Sequence, residues 1–272
     1  MSKTKIEWTE QNFNPFYGCR CISTGCDNCY AKDIAARFSG TDKNGRVLPY
    51  NGIAVKFNKE SRWTGKVKLN EDVLLEPLKN KTPTVYFVNS MSDTFYSEFP
   101  DEWIDRLFAL MALCPQHTFQ VLTKRAERMR DYFKDLDWRT LQVWIASNKI
   151  TDRFEQNPLT VKLQENNKHR FFPLQNVWLG VSVENQKNKS RIDFVRETPA
   201  AVHWLSIEPL LENLGELDLR GIDWVVVGGE SGVNARPVNP DWVRLLRDQC
   251  RAANVPFFFK QWGSWFPVTE KP

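Results

Sequence analysis

Four of the six cysteines, Cys19, Cys21, Cys26 and Cys29, fall within eleven residues, in the segment Gly18-Cys19-Arg20-Cys21-Ile22-Ser23-Thr24-Gly25-Cys26-Asp27-Asn28-Cys29-Tyr30. Thiolates are soft ligands, so in a reducing compartment such crowding points to zinc, copper(I) or an iron–sulfur cluster rather than to disulfides. The spacing leaves two metal readings open. Four thiolates would close a tetrahedral structural zinc site, although the single residue between Cys19 and Cys21 is tighter than the roughly two to four usual in zinc pairs. Three thiolates would hold a [4Fe–4S] cluster with one iron free for an exchangeable ligand. A structural role without metal is the third possibility. Cys114 and Cys250 lie on apolar faces of helical patterns and read as core thiols. His117, His169 and His203 show no ligand spacing.

A second set of reactive side chains follows six short apolar runs. Val85–Val88 ends in Asn89-Ser90-Met91-Ser92-Asp93, and Phe119–Leu122 ends in Thr123-Lys124-Arg125. Val177–Val181 ends in Ser182-Val183-Glu184-Asn185, and Val202–Leu205 in Ser206-Ile207-Glu208-Pro209. Trp224–Val227 ends in Gly228-Gly229-Glu230-Ser231-Gly232, and Pro256–Phe259 in Lys260-Gln261-Trp262-Gly263. In parallel α/β barrels the carboxyl ends of the strands form the active-site face. Six such ends would surround one polar cavity, with Glu184, Glu208 and Glu230 as its sharpest members.

The runs themselves are rich in β-branched and aromatic residues and mostly do not alternate, as expected of strands covered on both faces. Helical patterns separate them. Asp101 to Cys114 carries an apolar stripe and stops at Pro115. Pro240 to Ala253 starts on the cap residue Asn239, with Trp242, Leu245, Leu246 and Cys250 as its buried face. A further helix is expected from Tyr30 to Phe38. Alternating strands and helices imply an α/β fold, a full or partial parallel βα barrel. The chain has 272 residues, 42% of them hydrophobic, enough to build one such domain across 1–272. Two polar stretches, about 41–82 and 134–174, read as insertions on that scaffold; the second contains the run Gln164–Arg170.

The amino terminus, Met1 to Glu7, lacks an apolar leader. No apolar run approaches the roughly 20 residues of a membrane span. The expectation is therefore a cytoplasmic chain without a membrane partner. The formal charge of +4 permits an anionic partner without requiring one. The basic stretch 56–81, with Phe57 and Trp63 among its charges, reads either as a solvated face or as a track for a phosphate backbone. Arg125, Arg128 and Arg130 carry the same ambiguity.

Gly18-Cys19, six residues, then Cys26-Asp27-Asn28-Cys29-Tyr30-Ala31 resembles the three-cysteine signature of a phage-associated, radical-SAM-like family. The resemblance continues through Asn89–Asp93, Pro100–Trp103, Gln120–Arg125, Val177–Glu184, Ser206–Pro209, Gly228–Gly232 and Phe259–Gly263, nearly the whole chain outside the two insertions. It implies a barrel of radical-SAM type, with Cys19, Cys26 and Cys29 holding a [4Fe–4S] cluster and Cys21 outside the set. It further implies that S-adenosyl-L-methionine binds the open iron and that a low-potential electron donor drives formation of a 5′-deoxyadenosyl radical. The sequence departs from the common pattern in two places. Six residues instead of three separate the first two ligands, and Asn28 stands where an aromatic often precedes the third, the aromatic here being Tyr30.

On this resemblance Tyr30 joins the cofactor-binding residues. Ser90, Ser92 and Asp93 are expected at the methionyl ammonium, Lys124 at its carboxylate, and Ser182 and Glu184 at the ribose. Glu208, Glu230, Lys260 and Gln261 are expected to face the substrate as the catalytic set. That substrate is expected to be a nucleotide or a nucleic-acid base, hypermodification or rearrangement of phage DNA being one form. The rival expectations are a zinc-stabilised nucleic-acid-binding protein without catalysis, and a barrel hydrolase with structural cysteines.

Overall fold

Each of the six apolar runs becomes a strand, because each presents apolar side chains to both sides of one sheet. The computed structural model describes residue 4 and residues 6–58, 60–151 and 171–265. Strands β1 (Gln11–Phe13) and β2 (Phe16–Tyr17) precede the cysteine segment, and helix α1 (Tyr30–Arg37) follows it. The first expected insertion contains the hairpin β3 (Ala54–Phe57) and β4 (Glu60–Trp63), then β5 (Lys68–Leu69), α2 (Glu71–Leu74) and α3 (Glu76–Lys79). The main run continues with β6 (Val85–Val88), α4 (Asp101–Leu113), β7 (Thr118–Thr123), α5 (Ala126–Tyr132) and α6 (Leu136–Thr151). It ends with β8 (Val177–Ser182), α7 (Arg191–Arg196), β9 (Val202–Ile207), β10 (Trp224–Gly228), α8 (Pro240–Ala252) and β11 (Phe257–Gln261).

Seven strands form one parallel sheet in the order β1-β6-β7-β8-β9-β10-β11. It curls into a half-barrel, the partial form of the expected architecture. The convex face packs under the helices: Val88, Val121, Val181, Ile207 and Val227 share a core with Leu107, Phe108, Val195 and Leu246. The concave floor is filled by Phe87, Trp204 and Val226, with Trp8, Leu122, Trp178 and Trp224 against them. Trp8 stands edge-on to Phe87 at 4.8 Å, Trp204 at 5.3 Å and Trp224 at 5.8 Å between ring centroids. The Trp204 indole crosses the backbone of Gly180, where a Cβ would stand 2.4 Å from it; only glycine fits. Two apolar faces explain why the strands read as continuous runs instead of alternating ones.

Several expectations are corrected. The stretch 134–174 begins as α6, which places Val143 and Ala146 in the main core, so its first half is a packed element and not an insertion. Arg139 on this helix reaches Asp105 at 3.0 Å and Asp101 at 2.9 Å. The run Gln164–Arg170, including His169, lies outside the described residues. On α8, Val243, Leu246 and Cys250 are buried while Leu245 is exposed, because the helix is rotated toward Val243. Arg128 donates to the carbonyls of Tyr96 and Phe99, and Arg130 pairs with Asp131, so these guanidiniums are engaged internally. Cys114 and Cys250 are buried as expected. Among the described residues no helix is long and apolar enough to cross a membrane.

Candidate functional site

The carboxyl ends of the central strands converge on the cysteine loop and hold it in place. After β7, Arg125 donates to the Arg20 carbonyl at 2.8 Å and extends a second nitrogen to 4.0 Å from Cys19 Sγ. After β8, Glu184 accepts from Ser23 Oγ at 2.9 Å, and Asn185 donates to Thr24 Oγ1 at 3.0 Å. Gly25 lies directly against Glu184; a Cβ there would stand 2.5 Å from the Glu184 Cγ, which explains the glycine between the cysteines. After β10, Glu230 accepts from Asn28 Nδ2 at 3.0 Å. Arg236, itself bound to Glu230 at 2.8 Å through Nε, donates to the Thr24 carbonyl at 2.8 Å. After β6, the Ser90 carbonyl accepts from the Tyr30 hydroxyl at 2.9 Å. Four strand ends therefore fasten one loop.

The carboxylates in this group differ sharply in their surroundings. Glu184 is fully buried. One oxygen accepts from Ser23 and from Lys124, the other from Asn188 and Arg191, both at 2.9 Å. Burial alone would raise its pKa, but Lys124 and Arg191 outweigh burial and hold the carboxyl below the ordinary range. Glu230 follows the same rule: burial pushes upward, and the hydrogen bonds from Arg236 and Asn28 bring it below its usual value. Asp93 uses both oxygens on the turn into α5, accepting from the amides of Phe95 and Lys124, from Thr123 Oγ1 at 2.6 Å and from Arg125 at 2.8 Å.

Glu208, Lys260 and Gln261 form a separate cluster. Lys260 Nζ lies 2.6 Å from Glu208 Oε1, with Gln261 Nε2 at 3.4 Å from the same oxygen and 2.9 Å from Ser231 Oγ. Both members of the ion pair remain partly exposed. Tyr30 lies within electrostatic range of Glu208 and Cys29. Its side chain is half exposed, and partial loss of solvent together with the nearby Cys29 and Glu208 raises its pKa. The structure thus joins Tyr30 to Ser90, Lys124 to Glu184, and Glu208 to Lys260 and Gln261. It joins Glu230 to the loop instead of to that trio. Ser90 Oγ donates to Asn14 at 3.2 Å, the Ser182 carbonyl accepts from Arg191 at 2.7 Å, and Ser92 Oγ is buried with no partner.

The thiols share one neighbourhood, since Cys29 interacts electrostatically with both Cys19 and Cys26. Burial pushes Cys19 up to about 12 and also raises Cys29. Cys26 moves down, chiefly through a hydrogen bond from the Cys21 thiol, which is itself pushed up. Among the described residues no three His, Cys, Asp or Glu side chains stand gathered as a metal site. The donor type, four soft thiols on one fastened loop, suits a zinc ion or an iron–sulfur cluster, and loading would require thiols to converge and lose their protons.

Sequence reasoning missed Ser23, Asn28, Asn188, Arg191 and Arg236. Each becomes meaningful only once the loop lies across the sheet, and none carries a spacing signal of its own. A cleft of about 580 Å³ lined by Arg130, Phe133, Arg196 and Thr198 lies among α5, α7 and the segment entering β9, and contains none of these residues.

A family model described as a protein of unknown function (DUF5131) matches residues 3–271, and the chain belongs to that family. No curated protein and no solved structure matches it.

Proposed function

For this member of the DUF5131 family we propose a radical S-adenosylmethionine enzyme acting on a nucleotide or a nucleic-acid base. The observation that supports the reading most is the fastening of the four-cysteine loop across the carboxyl ends of a parallel half-barrel. Cys19, Cys26 and Cys29 would hold a [4Fe–4S] cluster. When reduced by a low-potential donor and bound to S-adenosylmethionine, that cluster supplies hydrogen-atom abstraction, with methionine and 5′-deoxyadenosine as the products.

The chain's own residues position and shield this chemistry. Arg125 and Glu230 fix the two ends of the loop, and Glu184 fixes its middle while orienting Lys124. Lys124 is the point charge available to a carboxylate, and the unpartnered Ser92 hydroxyl is available to an ammonium or hydroxyl group. The Glu208–Lys260 pair, with Gln261, is the polar face offered to substrate. It can hold or pass a proton at Glu208 Oε1 without disturbing the loop.

Anaerobic reconstitution with iron and sulfide tests the reading. Broad absorbance near roughly 400 nm and about four irons per chain are the expected result. Incubation with dithionite and S-adenosylmethionine should then yield 5′-deoxyadenosine. Cys26→Ser should abolish iron loading and Cys21→Ser should leave it intact. Colourless protein carrying stoichiometric zinc, lost in Cys21→Ser, would instead establish the four-thiolate site, a reading favoured by the Cys21 thiol standing 3.8 Å from the Cys26 carbonyl.

A further inference from the structure

The hairpin β3–β4 has one covered face and one bare face. In its register Ala54 opposes Trp63 and Lys56 opposes Ser61, while Val55 opposes Arg62 and Phe57 opposes Glu60. Ala54 and Trp63 pack into the small core that includes Ala31 and Ala35 of α1. Val55 and Phe57 point the other way and are 42% and 57% exposed. The exposed Phe57 ring at the hairpin tip has a cation beside it. The Arg62 guanidinium lies over it, 5.5 Å from its centroid. Glu60, the one acid on this face, is held by Arg62 at 2.8 Å.

The charge of the segment that contains the hairpin is strongly one-sided. From Lys43 to Asn70 the chain carries seven Lys or Arg and one Glu, a local charge of +6, whereas the whole chain carries +4. The remainder is therefore net negative, and the basic excess is concentrated in this segment. Lys56, Lys66 and Lys68 are all exposed. The hairpin packs on α1, whose first residue, Tyr30, directly follows Cys29, so the hairpin is joined to the cysteine loop through one helix.

From this juxtaposition we propose that the β3–β4 hairpin is a docking element for single-stranded nucleic acid. The lysines track the phosphates, and a base stacks on Phe57 and the Arg62 plane. A duplex hides its base faces inside the stack, so an exposed aromatic–guanidinium surface selects an unpaired strand. Anionic lipid would satisfy the lysines but offers no ring to stack on Phe57. The inference deepens the function proposed above, resting on it for the identity of the reacting unit; binding itself requires neither cluster nor S-adenosylmethionine.

Fluorescence anisotropy of the full-length, cluster-free chain with a labelled oligothymidylate of about 15 nucleotides tests it. The single strand should bind more tightly than a duplex of equal length, with affinity falling as salt rises. Phe57→Ala should weaken binding roughly tenfold and leave the salt slope unchanged. The triple change Lys56→Gln, Lys66→Gln, Lys68→Gln should flatten the log–log salt slope by roughly two. All four side chains are exposed, and circular dichroism checks that the fold is kept. Phe57→Ala binding like the parent, a duplex binding as well as the single strand, or anionic vesicles displacing the oligonucleotide from the parent chain each overturn the proposal. Single-strand binding with no 5′-deoxyadenosine formation removes the enzyme reading and keeps the docking element. The converse result removes only the docking element.

Discussion

Glu184 and Glu208 follow neighbouring strands at the same position in an identical local pattern, an apolar run, then Ser, a hydrophobic residue and Glu, yet they lead different lives. Glu184 is enclosed and meets Ser23, Lys124, Asn188 and Arg191. Glu208 meets Lys260 and a distant Gln261, and the pair stays open to solvent. What separates them is the loop. Where the cysteine segment lies across a strand end, the acid becomes an anchor; where it does not, the acid keeps its charge available. Glu230 belongs with Glu184 in this respect.

Replacing Glu184 by Ala is the severest way to test the contrast. It leaves Lys124 and Arg191 without their shared carboxylate, and urea unfolding should register a loss of about 3–5 kcal/mol. A loss below about 1 kcal/mol would break the anchor reading. Glu230→Ala should cost less, about 1–2 kcal/mol, because Arg236 is partly exposed and can turn to water. Its sharper signature should be faster labelling of Cys26 and Cys29 by a thiol reagent.

The two anchors also set a pH dependence. Both carboxyls titrate below their ordinary value of 4.5 in the folded chain. Their stabilisation is therefore fully present above that value and is lost as the pH falls through the lower folded values. Thiol labelling with dithiodipyridine should accelerate only below about pH 4.5, and Glu184→Gln should remove most of that dependence. Acceleration that begins near neutrality would mean that other groups hold the loop. Glu208→Gln should have the smallest effect, a stability change within about 0.5 kcal/mol with unaltered thiol labelling. A large loss there would erase the distinction between the two glutamates.

Much of the scaffold was legible in the sequence. Six apolar runs became six strands, and the helices at Asp101–Leu113 and Pro240–Ala252 ended within a residue of their expected limits. The seventh strand, Gln11–Phe13, was not, because three residues with two amides carry no strand signal until β6 offers them hydrogen bonds. Helix α6 was hidden because its apolar residues are spread around the helix and form no continuous stripe; it is held by Arg139, which meets Asp101 and Asp105, and by a few core residues. At the site, the acids after β6, β8, β9 and β10 were readable because the apolar runs end abruptly there. Their partners were not. Ser23 and Glu184 are far apart in the chain, and nothing local in either announces the bond.

The plug of the half-barrel also sets an order of assembly. Trp8 precedes every strand of the sheet in the chain, yet its ring partners Trp204 and Trp224 belong to late strands. The concave floor cannot close until most of the chain has emerged, and contacts of such high sequence separation form slowly. Through that interval the cysteine loop has only the ends of β6, β7 and β8 to bind, so its last fastening, to Glu230, follows the maturation of the later strands. A bulky amino-terminal fusion that delays the seating of Trp8 should therefore slow the acquisition of native structure at the far edge of the sheet.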